Sequence, residues 1–320
     1  MRDGFVVTDR PNPHTQRAKE IVKRHPEVRR HFGPYPLSGA YIASIVAFQI
    51  AFAYQLRVAG WMWVIACAYA IGAFASHALF VLIHEATHNL IVKGSVPNRL
   101  FGILCNVGQG FPSAMSFRTY HRLHHSHLDE YAYDADLAFD WEARWVGNSP
   151  LRKALWLFLF SAIEIVRPLR VERPYTDKWI IGNTVTIVAS DALIWAICGP
   201  HGLVYVLLST IVGIGLHPLG ARWVQEHYTF HEGQETYSYY GVLNALTFNI
   251  GYHNEHHDLV KVPWVHLPKI KAMAPEFYEP LQAHRSLTRV LLQFLFDPKL
   301  TLFARITRER ARPRPQAALS

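Results

Sequence analysis

Residues 61–88 read WMWVIACAYAIGAFASHALFVLIHEATH. From Trp61 to Ile83 there is no Asp, Glu, Lys or Arg. A helix of that length, at about 1.5 Å per residue, is long enough for the roughly 30 Å hydrocarbon core of a bilayer. The run then delivers His84-Glu-Ala-Thr-His88, whose two histidines, four apart, share one helix face. An apolar span that carries a pair of imidazoles to one membrane edge governs the reading of everything around it.

Upstream, residues 37–56 form another uncharged apolar run, and Arg57 to Gly60 leaves room only for a tight turn. The two runs make a transmembrane hairpin with Trp61 and Trp63 at the interface. The pattern recurs at Trp179–Cys198 and Leu203–Arg222, joined by Gly199-Pro200-His201-Gly202, with Asp191 inside the first arm. Two shorter apolar stretches, roughly 100–116 and 154–166, are flanked by charge and read as interfacial or buried helices.

Of the Lys and Arg residues, eight precede residue 37, eleven lie in 93–178 and twelve from Arg222 onward; the hairpin regions hold one, Arg57. This asymmetry predicts both termini and the central segment on the cytoplasmic face. The expected class is an all-α membrane protein: four transmembrane helices in two hairpins, interfacial helices and a cytoplasmic histidine-rich part. The expected divisions are a basic segment 1–36, a first hairpin 37–92, a central region 93–178, a second hairpin 179–222 and a C-terminal region 223–320. Within the first, His14 to Pro26 reads as a basic amphipathic helix at the membrane surface. No apolar stretch opens the chain, so no cleavable signal peptide is expected, which suits the endoplasmic reticulum or a bacterial inner membrane.

Half of the 320 residues are hydrophobic and 18% are charged, which excludes a disordered chain. The net charge of +8 lies beside the spans and not along a stripe with stacking aromatics, so no nucleic-acid partner is expected. Cys67, Cys105 and Cys198 have no paired spacing, which excludes a disulfide framework and a cysteine zinc module.

The chain has 19 histidines. Two further clusters join the first: His121-Arg-Leu-His124-His125, followed by His127, and His253-Asn-Glu-His256-His257. Residues i, i+3 and i+4 lie on one face of a helical turn. All eight box histidines fall on the predicted cytoplasmic side, more imidazoles than one zinc site takes and enough for two metals. His84-Glu85 fails the zinc-protease pattern because the second histidine comes one residue late. Glu85, Glu226 and Glu255 are candidates either as ligands or as carboxylates orienting an imidazole. His14, His25, His31, His201, His266 and His284 read as surface or satisfied histidines. A metal transporter would put acids or histidines along its spans, which here hold only His77, Asp191 and His217.

The pattern HX3H, HX2HH, HX2HH on a four-span scaffold resembles the membrane fatty-acyl desaturases and hydroxylases, over roughly His14 to Leu281. It is most similar to their sphingolipid delta-4 desaturase branch. The narrower match rests on Pro13-His-Thr-Gln-Arg-Ala-Lys-Glu-Ile21, Asp134-Ala-Asp136, Glu226-His-Tyr228 and Glu235-Thr-Tyr-Ser-Tyr-Tyr-Gly241 through Asn249-Ile-Gly-Tyr-His-Asn-Glu-His-His-Asp258. The resemblance implies two non-haem irons bound by His84, His88, His121, His124, His125, His253, His256 and His257. It implies a ninth ligand as well, expected at His227 in Glu-His-Tyr, with His217 the alternative. It also implies dioxygen-dependent formation of a 4,5-trans double bond in dihydroceramide, with C4-hydroxylation as the rival outcome. The acidic stretch with Asp134 and Asp136 is a candidate for contacting the lipid's headgroup or amide. His217-Pro-Leu-Gly220 is similar to the haem motif of cytochrome b5 domains but ends an apolar run in no separate domain, and no G-x-G-x-x-G opens a helix. Electrons are therefore expected from an external cytochrome b5 or ferredoxin with an NAD(P)H reductase.

Overall fold

The structure, a computed structural model, describes residues 4–172 and 176–308. It is mostly helical, and three of its helices are long and apolar enough to cross a membrane: Leu37–Leu56, Trp61–Thr87 and Lys178–Ile214. From Arg308 the sequence is a basic, Pro/Arg-rich tail, and all of it beyond Arg308 lies outside the described residues.

The first two, joined by the short turn at 57–60, pack on each other. The third, 37 residues long, breaks at Gly199, whose φ of 66° and ψ of −173° belong to no helix. Pro200 follows and restarts the helix, a first-turn position where its missing N–H costs nothing. The two arms fold back on each other. Asp191 and Leu207 both approach Gly110, whereas a continuous helix would hold them about 24 Å apart. The second arm ends at Ile214, earlier than the expected Arg222, because Gly215 leaves helical geometry and Pro218 follows. At the turn ends the hairpins meet: Trp61 stacks on His201 with centroids 4.0 Å apart.

The hairpins pack closely where side chains are small. A Cβ on Gly213 would stand 2.5 Å from the Ala73 carbonyl oxygen, so only glycine fits there. A polar network crosses the same contact: Tyr205 donates to Gln49 (2.7 Å), Gln49 to Ser76 (3.1 Å), and Thr210 to the Gln109 carbonyl (2.8 Å). Each group has a partner, as a low-dielectric interior requires. Leu79, Leu82 and Ile83 of the second helix bury against Ile42, Cys105 and Met115, which fastens the Ser95–Val107 helix to this bundle.

Beyond the bundle, helices Ala114–Ser126, Arg222–His227 and His253–Asp258 carry most of the box histidines. Trp156, Phe160, Val224 and Phe294 form one core beneath them. A second holds Ile21, Leu259, Val262 and Ile270. Ile21 belongs to the Pro13–Arg24 helix, which therefore buries its apolar face in protein; the expectation that this face meets the membrane is corrected. The reason is electrostatic as well: Arg17 and His14 both hold Asp258, at 2.6 and 2.7 Å. Strand Val6–Thr8 pairs in parallel with Ile306–Arg308, bringing together the first and last described segments.

Candidate metal centre

The first box lies on the last turn of the Trp61–Thr87 helix. Asn89, with φ of 60°, turns the chain out of the helix as a left-handed cap. Arg118, from the second-box helix, finishes the end: its guanidinium donates to the carbonyls of Ala86 (2.7 Å) and Thr87 (2.9 Å) and to Asn89 Oδ1 (2.9 Å). This arginine carries no sequence signal, since its partners are backbone groups some thirty residues away.

The boxes converge in two groups. His84, His88, His121, His125 and His256 bring one nitrogen each within 4.8 Å of all the others. His124, His227 and His257 do the same, and His253 Nε2 joins them 2.9 Å from His227 Nε2. Nε2 atoms face one another at 3.1 Å (His88–His121), 3.0 Å (His121–His125), 3.2 Å (His125–His256) and 3.2 Å (His124–His227). Imidazole nitrogens bound to a first-row metal at about 2.1 Å stand about 3 Å apart in neighbouring octahedral positions. The spacing and donor set therefore fit metal ions, and His257 Nε2, buried without a hydrogen-bond partner, is an orphan that ligation would satisfy. Imidazole alone suits iron, copper, nickel or zinc.

His217 joins neither group. It lies between Tyr69 and Phe74, centroids 4.7 and 5.3 Å away, and its Nδ1 accepts the Leu219 N–H. His127 turns to Glu130 instead, at 3.3 Å. His14, read as a surface or satisfied histidine, is buried, with its ring 4.8 Å from that of His257. Its Nδ1 is held by Asp258 while its Nε2 has no partner.

A layer of acids backs the imidazoles. Asp134 sets both oxygens 3.0 Å from His124 Nδ1, and those oxygens also accept the backbone N–H groups of Asp129 and Asp136. It is fully buried, so the geometry puts it behind His124 and not at a lipid headgroup; Asp136, 3.5 Å from the same nitrogen, is partly exposed. Glu226 stands 3.4 Å from His253 Nδ1 and is held by Arg222 at 2.6 Å. Glu85 accepts the Trp264 N–H, and Glu255 turns to Tyr240 and Ser238. The carboxylates at His124 and His253 fix which ring nitrogen faces inward.

Burial, reinforced by the neighbouring imidazoles, pushes His121, His125, His227, His253, His256 and His257 well below the ordinary histidine range. They are neutral and offer a lone pair, the form that binds metal. His124 differs. Burial lowers it, but the charges of Asp134 and Asp136 outweigh burial and hold it at about 9.

Comparison with known proteins agrees with this geometry. The fatty acid desaturase family model matches residues 59–289, and the model described as sphingolipid Delta4-desaturase (DES) matches residues 1–37. The chain is 39% identical over 311 residues to the Drosophila melanogaster sphingolipid delta(4)-desaturase DES1, covering 97% of each. It is also 39% identical over 306 residues to the Bos taurus sphingolipid delta(4)-desaturase/C4-monooxygenase DES2, covering 95% of this chain and 94% of that one. To the Oryza sativa subsp. japonica sphingolipid delta(4)-desaturase DES1-like protein it is 36% identical over 312 residues, covering 96% and 95%. The chain belongs to the fatty acid desaturase family, in its sphingolipid delta(4)-desaturase branch.

Proposed function

We propose that this oxidoreductase introduces the 4,5-trans double bond into the sphingoid chain of dihydroceramide, as a four-span membrane protein with both termini and the metal centre on the cytoplasmic face. The observation that carries the reading is the convergence of nine histidines from four separate helices into groups of five and four. The broken third helix supports the fourth span, and the distribution of Lys and Arg supports the orientation. An endoplasmic-reticulum or bacterial inner membrane suits both.

In this reading His84, His88, His121, His125 and His256 hold one iron and His124, His227, His253 and His257 the other. Two irons with dioxygen supply the oxidising power to remove hydrogen from an unactivated C–H bond, which no side chain can do. The chain's own residues prepare the site. Asp134 and Glu226 orient His124 and His253. Arg118 fixes the helix end that bears His84 and His88. His124, His227, His253 and His257 are all buried, whereas His88 and His125 are half-buried. Forming one alkene and two waters from dioxygen takes two electrons beyond the two from the substrate. We assign them to an external cytochrome b5 or ferredoxin with its NAD(P)H reductase.

C4-hydroxylation is the second reading, favoured by the DES2 relatives, whose name includes C4-monooxygenase at similar identity. Expression in a host with saturated sphingoid lipids, followed by lipid mass spectrometry, tests both. The 4,5-unsaturated product supports the first reading and a 4-hydroxy product the second. His124→Ala and His256→Ala should insert into membranes and yield neither. Stoichiometric zinc in an active preparation would overturn the iron assignment.

A further inference from the structure

Beside the metal centre, the Ser95–Val107 helix, the second-box helix and the start of the third apolar helix enclose a groove of about 540 Å³. It is lined by Arg99, Arg118 and Arg122 together with Met115 and Trp179. Among the described residues, none of these arginines forms an ion pair with a carboxylate; the arginine ion pairs of the chain lie elsewhere. Asp177, which also lines the groove, uses Oδ1 to cap the N–H groups of Trp179 and Ile180.

Three guanidiniums gathered without a paired carboxylate repel one another. Burial first, then the charges of Arg122 and Arg99, push the Arg118 guanidinium down to about 10. Arg118 is 6% exposed and spends its N–H groups on the end of the first-box helix, so at the base of the groove it acts as a fixed charge. Arg99 has a buried Nε with no partner and lies over the Trp179 ring at 5.0 Å. Arg122 is exposed.

We propose that this groove binds the phosphate of an anionic phospholipid headgroup, contacted by Arg99 and Arg122 and backed by Arg118, with Trp179 and Met115 against the lipid's apolar part. The level is right for a lipid: Trp179 opens an apolar helix, where tryptophan marks the membrane interface. A groove whose most buried charge, Arg118, is recessed behind Arg99 and Arg122 admits a small headgroup better than the surface of a protein. Planar guanidiniums suit phosphate oxygens. The site rests on the membrane-embedded reading above but not on the reaction assigned there.

The test is native mass spectrometry of the purified full-length chain with dioctanoyl phosphatidylglycerol, dioctanoyl phosphatidylcholine or inorganic phosphate. Wild type should prefer phosphatidylglycerol to phosphatidylcholine by about tenfold or more, since each basic residue near an anionic lipid contributes roughly 1 kcal/mol. The double variant Arg99→Gln/Arg122→Gln should lose that preference. Lys19→Gln/Lys23→Gln, the same charge change on the Pro13–Arg24 helix, should keep it. Metal content and product formation, measured separately, report on the fold and on the desaturase reading. Retention of the preference in the Arg99/Arg122 variant overturns the proposal. So does inorganic phosphate binding as tightly as the lipid, which would make this a free-anion site. An unchanged lipid preference with a raised requirement for an acidic electron carrier would mark a protein-docking surface, and would overturn it too.

Discussion

Asp134 presents both carboxylate oxygens to Nδ1 of His124, each at 3.0 Å, while Nε2 of the same ring faces His227 at 3.2 Å. The acid thus fixes the ring that links the second box to the ninth histidine. Asp134→Asn keeps the volume and removes the charge. Metal affinity or activity should fall by about 10- to 100-fold, the usual cost of losing a carboxylate behind a ligating histidine. Iron titration of the metal-free variant checks this.

His227→Ala should lose activity as completely as a box variant, because His227 meets both His124 and His253. His217→Ala should retain most of it, since the His217 ring packs against Tyr69 and Phe74 and belongs to neither histidine group. Product yield per folded protein measures both, and the reverse ranking would move the ninth ligand to His217.

Removing the metals should destabilise the protein. Nine imidazoles gathered in two close groups would lose the ion that binds their lone pairs, and a ligand present at a thousand times its Kd stabilises by about 4 kcal/mol. Chelation should lower the thermal midpoint, and Fe(II) should restore it. A midpoint indifferent to chelation in a metal-loaded preparation would argue against a built metal site.

Arg118→Leu strips donors from the buried carbonyls of Ala86 and Thr87. The Ala86 carbonyl keeps the Asn89 N–H at 3.2 Å, whereas the Thr87 carbonyl loses its partner, which costs about 1–3 kcal/mol. The variant should melt lower and bind less iron, through loosening of His84 and His88. Equal iron content in a variant that melts lower would limit Arg118 to a role in stability.

Turnover should require an added one-electron carrier. Arg285, Arg289 and Lys299 are exposed, and small carriers are commonly acidic. Reconstituted activity should fall as salt rises, since charges are screened beyond about 10 Å at 0.1 M. Charge reversal at the three positions should raise the carrier concentration for half-maximal rate and leave iron content unchanged. Desaturation by the purified chain with only a pyridine nucleotide and oxygen would exclude an external donor.

The long apolar helices and the three boxes were legible in the sequence because both are local. Uncharged length sets a membrane helix, and i, i+3, i+4 spacing sets a shared face. Gly199-Pro200 likewise announced the turn in the third apolar helix. What the sequence could not decide was which histidines share a site. The first group draws on all three boxes, and the second joins His227 to parts of two boxes, across separations of up to about 170 residues. Nor could it separate His227 from His217, since each lies near the end of the same apolar run. Only packing shows that one faces other imidazoles and the other two aromatic rings. The placing of Asp134 behind His124, of Arg118 on the first-box helix end and of His14 beside His257 was hidden for the same reason: each meets a partner brought close by the fold, and a buried charge or an unpaired carbonyl acquires its cost only once tertiary structure removes water.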